Sequence, residues 1–375
     1  MQIRAIAVGV LALATLAAFP ARAVDLRVDA VYLMTNQPDN SVLAYDRLAN
    51  GTLRLVGEFS TGGTGNPVPQ GGDRATNPLA SQGSLVLSDD GLFLYAVNAG
   101  SNQISVFAVQ RGLLRLVETQ SSGGKRPISL AIHGDLLYVL NEGGTPNIAG
   151  FTISPKGRLT YLPDSTRTLP SGAAADPAQV AFNPTGKTLV VTEKDTNLIV
   201  TWRVRLDGLL QPPVITPSNG ITPSGFSFAS SGPLIVSEAA AGVDDAASVS
   251  SYRFLPGAVP ETVSASIPDF ETGAGWIAVT PDNSFVYASN MLSGEVSCYG
   301  LQPDGSIALL HEEASNTSLF SFPTDMAASR DGQNLYIHQA GSKAIGVFEI
   351  NPDGTLNRRI PIRGLPHGAQ GLAAK

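Results

Sequence analysis

Two glutamates interrupt a series of strand-ending residues that are otherwise amides, and they are the first candidates for chemistry. Glu193 ends the apolar run 189–192, and Glu238 ends the apolar run 234–237. Glutamate is not a favoured turn residue, and a carboxylate beside an apolar channel is suited to act as a general acid or base. We therefore predict that Glu193 and Glu238 are catalytic, with a structural ion pair to Arg or Lys as the alternative.

The same strand-end position recurs seven times along the chain. It is occupied by Asn36, Asn98, Asn141, Glu193, Glu238, Asn290 and Gln339. Asn favours turns because its side chain bonds to nearby backbone, so the asparagines also have a structural interpretation. The carboxylate of Glu142 follows Asn141 directly, and we predict that these two residues contact a bound ligand.

The connections between groups of strands bring further side chains toward the same face. They are Gln82, Arg126, Gln179, Phe226, Trp276, Asp325 and His367. We predict that Arg126 or nearby amides stabilise a developing oxyanion. The predicted ligand-binding residues of this set are Gln179, Trp276, Asp325 and His367. Trp276 either stacks on a ring-shaped ligand or fills a channel, and His367 is either a titrating site residue or a surface histidine.

A repeated strand pattern must position these side chains. Its anchor residues, three places before each strand end, are Leu33, Tyr95, Tyr138, Val190, Ile235, Tyr287 and Tyr336. Each anchor is followed by a second alternating strand, and most are preceded by an apolar strand and a turn. Four strands in roughly 40–50 residues are typical of a propeller blade. Seven anchors therefore predict an all-β, seven-bladed β-propeller.

The first repeat lacks a leading strand, and the last residues of the chain supply a candidate for it. Residues 366–374 resemble the leading strands of the other repeats but have no repeat after them. We predict that this segment forms the innermost strand of the first blade and closes the ring. Closure removes the exposed edges that an open sheet would carry.

The N-terminal residues and the charge of the chain indicate where it acts and on what. Residues 1–23 fit an export signal, with Arg4, an apolar run over 5–19 and Ala21-Arg22-Ala23 at the cleavage site. We predict that residues 24–375 form one periplasmic or secreted domain, without a membrane segment after cleavage. A net charge of −7 argues against a nucleic-acid partner. We expect a monomer that binds a small molecule in the central channel.

Cofactor motifs are lacking in the sequence. Four His and a single cysteine, Cys298, disfavour a zinc site and exclude an intrachain disulfide. No cofactor is expected, although a hard cation such as calcium, held by Glu and Asn oxygens, stays open. The insertion 60–81 is rich in Gly, Pro and Asn, and we expect it to cover part of the channel mouth or to be mobile.

The repeat resembles a known family. Residues 91–98, repeated with Ile-x-Val-Phe, resemble the lactonase-type seven-bladed propellers, which include 6-phosphogluconolactonases and the fungal carboxymuconate lactonizing enzymes. The closest local match is segment 175–195, where the phosphogluconolactonases usually carry a His before the strand and an Asp at its end. This chain has Gln179 and Glu193 instead, and Gln cannot transfer a proton. The pattern is therefore more similar to exported lactonase-family proteins of unassigned role.

Three functions follow as hypotheses. The first is an enzyme that hydrolyses or forms a small lactone at the central channel by carboxylate acid–base chemistry. The second is a non-catalytic propeller that binds a small molecule, a sugar or a protein. The third is a cation-assisted lactonase.

Overall fold

The computed structural model describes residues 27–66 and 77–375. The predicted signal, residues 1–23, and the middle of the insertion, residues 67–76, lie outside the described residues. Within the described ranges, seven antiparallel sheets of four or five strands follow one another around a ring, with the innermost strands of successive sheets in contact. The predicted seven-bladed β-propeller is confirmed.

The first four blades follow the chain in order. Blade 1 contains β1 (Arg27–Met34), β2 (Ser41–Leu48) and β3 (Leu53–Ser60). Blade 2 contains β4 (Leu85–Leu87), β5 (Phe93–Asn98), β6 (Gln103–Gln110) and β7 (Leu113–Ser121). Blade 3 contains β8 (Lys125–His133), β9 (Leu136–Gly143), β10 (Asn147–Ile153), β11 (Leu159–Tyr161) and β12 (Arg167–Thr168). Blade 4 contains β13 (Pro177–Phe182), β14 (Thr188–Glu193), β15 (Leu198–Arg203) and β16 (Val214–Pro217).

The remaining three blades complete the ring. Blade 5 contains β17 (Pro223–Phe228), β18 (Leu234–Glu238), β19 (Ser248–Leu255) and β20 (Val259–Pro268). Blade 6 contains β21 (Ala274–Val279), β22 (Phe285–Asn290), β23 (Glu295–Leu301) and β24 (Ile307–Asn316). Blade 7 contains β25 (Pro323–Ala328), β26 (Asn334–Gln339), β27 (Ala344–Ile350), β28 (Leu356–Arg358) and β29 (Ile362–Arg363), and β30 (Leu372–Ala374) follows it. The helical elements in the described ranges are two short 3-10 turns, Gly172–Ala174 and Ala240–Gly242.

The C-terminal strand closes the ring as predicted. β30 pairs antiparallel with β1 and places Leu372 opposite Leu33. The first blade then has the order β3-β2-β1-β30. Its innermost and outer strands therefore come from opposite ends of the chain.

The anchor tyrosines of the repeat join neighbouring blades. Tyr95 of blade 2 donates to the Gly157 carbonyl of blade 3 at 3.2 Å, and Tyr138 of blade 3 donates to the Gly208 carbonyl of blade 4 at 2.9 Å. The anchor tyrosines of blades 6 and 7 make equivalent bonds to the blades that follow them. Each acceptor glycine has φ near +80° in an outer turn, a conformation that other residues adopt only at a cost (φ 78° and 81° for the first two). This pairing explains why tyrosine anchors and glycine turns recur together.

Aromatic residues of the third strands fill the spaces between blades. The fully buried members are Phe107, Phe151, Trp202, Tyr252, Tyr299 and Phe348. Burial of one such side chain stabilises the fold by about 2–3 kcal/mol. The propeller is therefore held together mainly by packing between its sheets, which leaves the loops at each end of the ring available for a site.

Candidate functional site

The strand-end series forms a buried ring beneath the connections between blades. Asn98, Asn141, Glu193 and Glu238 are all fully buried. The incoming connection crosses over the side chain at a glycine in several blades: a Cβ on Gly124 would lie 2.5 Å from the Asn141 side chain. These polar groups therefore face the packed connection of their own blade and not an open channel.

Glu238 is enclosed by hydrogen-bond donors. Its carboxylate accepts bonds from the hydroxyls of Ser218, Ser248, Ser250 and Ser266 and from the Gly220 N–H, at 2.6–3.1 Å. Two carboxylate oxygens offer about four acceptor sites, so five donors saturate them. This geometry favours a structural role for Glu238, with serines in place of the expected Arg or Lys partner.

Glu193 and Asn141 are less completely bonded. Glu193 Oε2 accepts a hydrogen bond from Thr196 at 2.8 Å, while no donor in the described part of the chain reaches Oε1. Asn141 Nδ2 donates to the Ser122 carbonyl and to Asn147 Oδ1, both at 3.2 Å. Neither side chain is exposed, so a ligand would reach them only after the overlying connection moved.

Two adjacent blades carry the same ion pair with its charges exchanged. In blade 3, Arg126 Nη1 lies 2.7 Å from Glu142 Oε2. In blade 4, Lys194 Nζ lies 3.5 Å from Asp176 Oδ2. Arg126 and Asp176 each come directly before a proline that pairs with the strand-end residue, and both adopt the left-handed backbone conformation, with φ of 53° and 38°. Glu142 and Lys194 each follow the buried strand-end residue directly, so the two pairs occupy equivalent positions on the rim.

The segment Asn77–Gln82, here called the crossing segment, lies over the channel mouth. Arg126 Nη2 donates to its Pro78 carbonyl at 2.6 Å, and Lys194 Nζ donates to its Ala80 carbonyl at 3.0 Å. The side chains of Arg126 and Lys194 therefore both bind backbone carbonyls of the crossing segment.

Two channel side chains complete the attachment of the crossing segment. Gln370 accepts a bond from the Leu79 N–H at 2.9 Å and donates to the Ser81 carbonyl at 3.0 Å. The Gln82 side chain bonds to both backbone groups of Ile277 in blade 6. The described end of the predicted covering insertion is thus tied to blades 1, 3, 4 and 6.

Trp276 and Asp325 pack together inside the channel. Trp276 is buried, and its indole N–H donates to the Ser81 carbonyl at 3.2 Å, so it fills the channel below the crossing segment. Asp325 Oδ2 accepts a bond from the Gly371 N–H at 2.7 Å. Burial raises the pKa of Asp325 to about 7, against the opposing effect of its hydrogen bonds from Gly371 and Trp276.

Gln179 and His367 lie apart from this buried pair. Gln179 Oε1 accepts a bond from the Phe226 N–H at 2.7 Å, which links blades 4 and 5. His367 is exposed, and its carbonyl accepts a bond from the Gln37 side chain at 2.7 Å. The structure therefore does not gather the predicted ligand-binding residues into one cavity.

A cavity of about 270 Å³ lies beside the crossing segment, between blades 4, 5 and 6. Asp176, Lys194 and Ser81 line one side of it, and Trp276 and Leu292 line another. Of the predicted site residues, only Trp276 is among its lining residues. The sequence interpretation missed Asp176 and Lys194, although Lys194 directly follows Glu193 and Asp176 begins the Asp-Pro that opens β13.

Other locations in the described residues fit a site less well. An open groove of about 740 Å³ lies between the outer strands of blades 1 and 7, away from the channel, and its Arg359 is paired with Glu349. In the same part of the chain, no group of three or more His, Cys, Asp or Glu residues could hold a metal ion. No helix of residues 27–66 or 77–375 is both long and apolar enough to cross a membrane.

Solved structures with the same fold include proteins described as lactonases. A Bacteroides fragilis protein named provisionally as a 6-phosphogluconolactonase superposes with a TM-score of 0.70 at 19% identity, over 92% of this chain and 98% of that one. The periplasmic gluconolactonase of Pseudomonas aeruginosa superposes with a TM-score of 0.66 at 15% identity, over 92% and 98% of the two chains. At these identities the likeness establishes the fold.

Comparisons of the sequence itself identify the family. An uncharacterized protein of Staphylococcus epidermidis is 35% identical over 94 residues, which are 24% of this chain and 27% of that protein, so the match spans about a quarter of the relative. The family model described as "Lactonase, 7-bladed beta-propeller" matches residues 24–167, 133–257 and 246–360. These matches together cover most of the sequence. The chain belongs to the lactonase family of seven-bladed β-propellers.

Proposed function

We propose that this protein hydrolyses a small lactone in the cavity between blades 4, 5 and 6. The observation that carries the proposal is the pairing of Asp176 and Lys194 on the wall of this cavity, since it puts a proton acceptor and a cation at one end of a space of about 270 Å³. That volume is just below the range typical of drug-sized ligands, so it suits a small ring. Membership of the lactonase family supports the reaction class.

Hydrolysis in this cavity needs only the residues that line it. Asp176 accepts a proton from a water molecule, and the water oxygen forms a bond to the lactone carbonyl carbon. Lys194 donates a hydrogen bond to the carbonyl oxygen as that oxygen gains negative charge. The ring C–O bond then breaks, and the leaving oxygen takes the proton from Asp176, which yields the hydroxy acid.

The test compares lactone hydrolysis by Asp176→Asn, Lys194→Met and Glu193→Gln. Loss of a general base lowers turnover by roughly 10²- to 10⁴-fold and loss of an oxyanion donor by roughly 10²- to 10³-fold, so the first two variants should lose most activity. Glu193→Gln should retain it. The matched control is Glu142→Gln, because Glu142 belongs to the equivalent ion pair of blade 3 and does not line the cavity.

The same variants decide between the two assignments of the base. If Glu193→Gln abolishes turnover while Asp176→Asn does not, the buried carboxylate is the base and Asp176 is not. The catalytic predictions for Glu238 and Arg126 are tested in the same way, by Glu238→Gln and Arg126→Ala.

Binding without turnover is the second candidate function. The observation that favours it is the attachment of Lys194, which already donates to the Ala80 carbonyl of the crossing segment at 3.0 Å as well as facing Asp176. If no lactone in a panel of γ- and δ-lactones is hydrolysed while a sugar or other small molecule raises the melting temperature, this function replaces hydrolysis.

Export is also part of the proposal. It rests on the signal pattern of residues 1–23, and one structural relative is named as a periplasmic protein. Mass spectrometry of the protein recovered from outside the cytoplasm should give an N-terminus at Val24. An N-terminus that retains residues 1–23 in the exported fraction would contradict cleavage at this site.

A further inference from the structure

The cavity between blades 4, 5 and 6 has chemically different ends. Asp176 and Lys194 lie at its polar end beside the crossing segment, whereas Trp276, Met291 and Leu292 lie at its blade 6 side. Trp276 is buried, but Leu292 is 40% exposed. The apolar wall of the cavity therefore continues to the outer surface at Leu292.

A row of exposed apolar side chains extends from this point across blades 5 to 7. The apolar strip, as we call it, consists of Val243 (59% exposed), Phe270 (53%), Leu292 (40%), Leu319 (60%) and Phe320 (69%). Exposed apolar residues that are scattered singly need no explanation, but a row that borders a cavity is typical of a binding surface.

The loops that carry the strip pack on one another. A Cβ on Gly242, the neighbour of Val243, would lie 3.1 Å from the Leu292 side chain, so the two loops are in contact. Gly294 packs in the same way on the backbone of Ser318 and Leu319. The loop that carries Leu292 and Gly294 thus lies between the blade 5 loop and the blade 7 connection, and Leu292 belongs to both the cavity and the strip.

The backbone presents two of these side chains at a cost. Phe270 and Phe320 adopt φ of 60° and 68°, which is unusual for a bulky residue. The Phe320 ring meets the Phe322 ring edge-on with centroids 6.4 Å apart, yet both Phe270 and Phe320 are still more than half exposed. A ligand that covers the strip would bury the exposed parts of these side chains.

We infer that the apolar strip binds the unbranched alkyl tail of a lactone whose ring lies at the Asp176–Lys194 end of the cavity. The substrate class is then an alkyl-substituted lactone, and this inference rests on the proposed function. A tail is favoured over a protein partner because Leu292 lines the cavity and the strip alike, so one amphiphilic molecule fills both. Each buried methylene should tighten binding about fourfold, up to the length of the strip.

The experiment measures Kd by calorimetry for a series of γ-lactones with unbranched alkyl substituents of zero to eight carbons. Affinity for the wild-type protein should rise about fourfold with each methylene over several additions. Leu319→Ser and Phe320→Ser, at strip residues that do not line the cavity, should flatten this dependence and leave the affinity for unsubstituted γ-butyrolactone within about twofold. Leu206→Ser, an exposed site on an outer turn of blade 4, is the matched control and should change neither value.

The outcomes separate this inference from the proposed function because hydrolysis of the same lactones is measured in parallel. Tail-dependent binding without hydrolysis supports the strip and overturns the proposed function. Hydrolysis with a chain-length dependence that is flat in the wild type, or as steep in Phe320→Ser as in the wild type, overturns the strip inference. If no member of the series is bound or hydrolysed, both are overturned. Cosedimentation with neutral phosphatidylcholine vesicles that is lost in Phe320→Ser, without tail-dependent lactone binding, overturns the strip inference alone.

Discussion

The substitution Asp325→Asn measures how much the buried channel carboxyl lowers the free energy of unfolding when it ionises. The pKa of Asp325 rises from 3.8 to about 7 because burial disfavours its ionised form. At about 1.4 kcal/mol for each pH unit, this difference corresponds to about 4 kcal/mol of pH-dependent stability.

The sign follows from where the proton is bound. Between pH 4 and pH 7 the native state keeps the Asp325 proton while the unfolded chain has released it, so the free energy of unfolding falls as pH rises. The contribution is fully present below the unfolded pKa and is lost above about pH 7. Asn resembles the protonated carboxyl and does not titrate. Asp325→Asn should therefore gain about 4 kcal/mol relative to the wild type between pH 4 and pH 8.

Urea unfolding at pH 4.5, 6 and 8, followed by tryptophan fluorescence, gives this difference directly. Glu271 and Glu295, whose pKa values burial raises to about 7, and His338, whose pKa burial lowers to about 4, titrate in the same range. They occur in both proteins, so their contributions cancel in the difference.

The control is Asp304→Asn, because hydrogen bonds from Ser306 lower the pKa of this exposed carboxyl and move its titration below the measured range. Its stability relative to the wild type should not change with pH. A difference between Asp325→Asn and the wild type that stays constant from pH 4.5 to 8 would refute the reasoning.

Three further predictions concern the ring and its rim. Deletion after Leu365 removes β30 and should lower the melting temperature or cause aggregation; an unchanged melting temperature would contradict closure by this strand. Glu238→Gln should lower the free energy of unfolding by about 2 kcal/mol, because it weakens charge-assisted hydrogen bonds. The control is Glu349→Gln, at an exposed glutamate. Equal free energies of unfolding for the two variants would exclude a structural role for Glu238. Arg126→Ala should speed amide hydrogen exchange in residues 77–82, since it frees the Pro78 carbonyl, and unchanged exchange would show that the bond does not restrain the segment.

The fold could be predicted from sequence because its determinants are local and repeated. Alternation within each strand indicates the strands, and the spacing of anchors such as Tyr95 indicates the blades. The ring closure by β30 followed from a leading strand that was missing at one end and present at the other. The bond from Tyr95 to the Gly157 turn of the next blade shows why the pattern recurs.

The site could be predicted only in part because it depends on how distant segments cross. Glu193 and Glu238 differ from their equivalents in residue type, but their burial results from the path of the incoming connection, which residue type does not encode. The cavity beside Asp176 exists because the crossing segment, nearly a hundred residues earlier in the chain, forms one of its walls. Trp276 is predicted as a ligand contact from its residue type at the start of an innermost strand; it lines the cavity, and its role there stays a prediction.

Gln370 connects the C-terminal strand that closes the ring to the crossing segment that forms a wall of the cavity. It lies two residues before β30, and its amide contacts Asn77, Leu79 and Ser81. Opening of the C-terminal strand therefore withdraws support from the cavity wall, and a ligand that requires the intact wall opposes that opening. At a ligand concentration 100 times its Kd, resistance of the strand to local opening rises by about 2.7 kcal/mol. Ligand binding and local opening of the C-terminal strand are therefore thermodynamically linked, and a change in one changes the other.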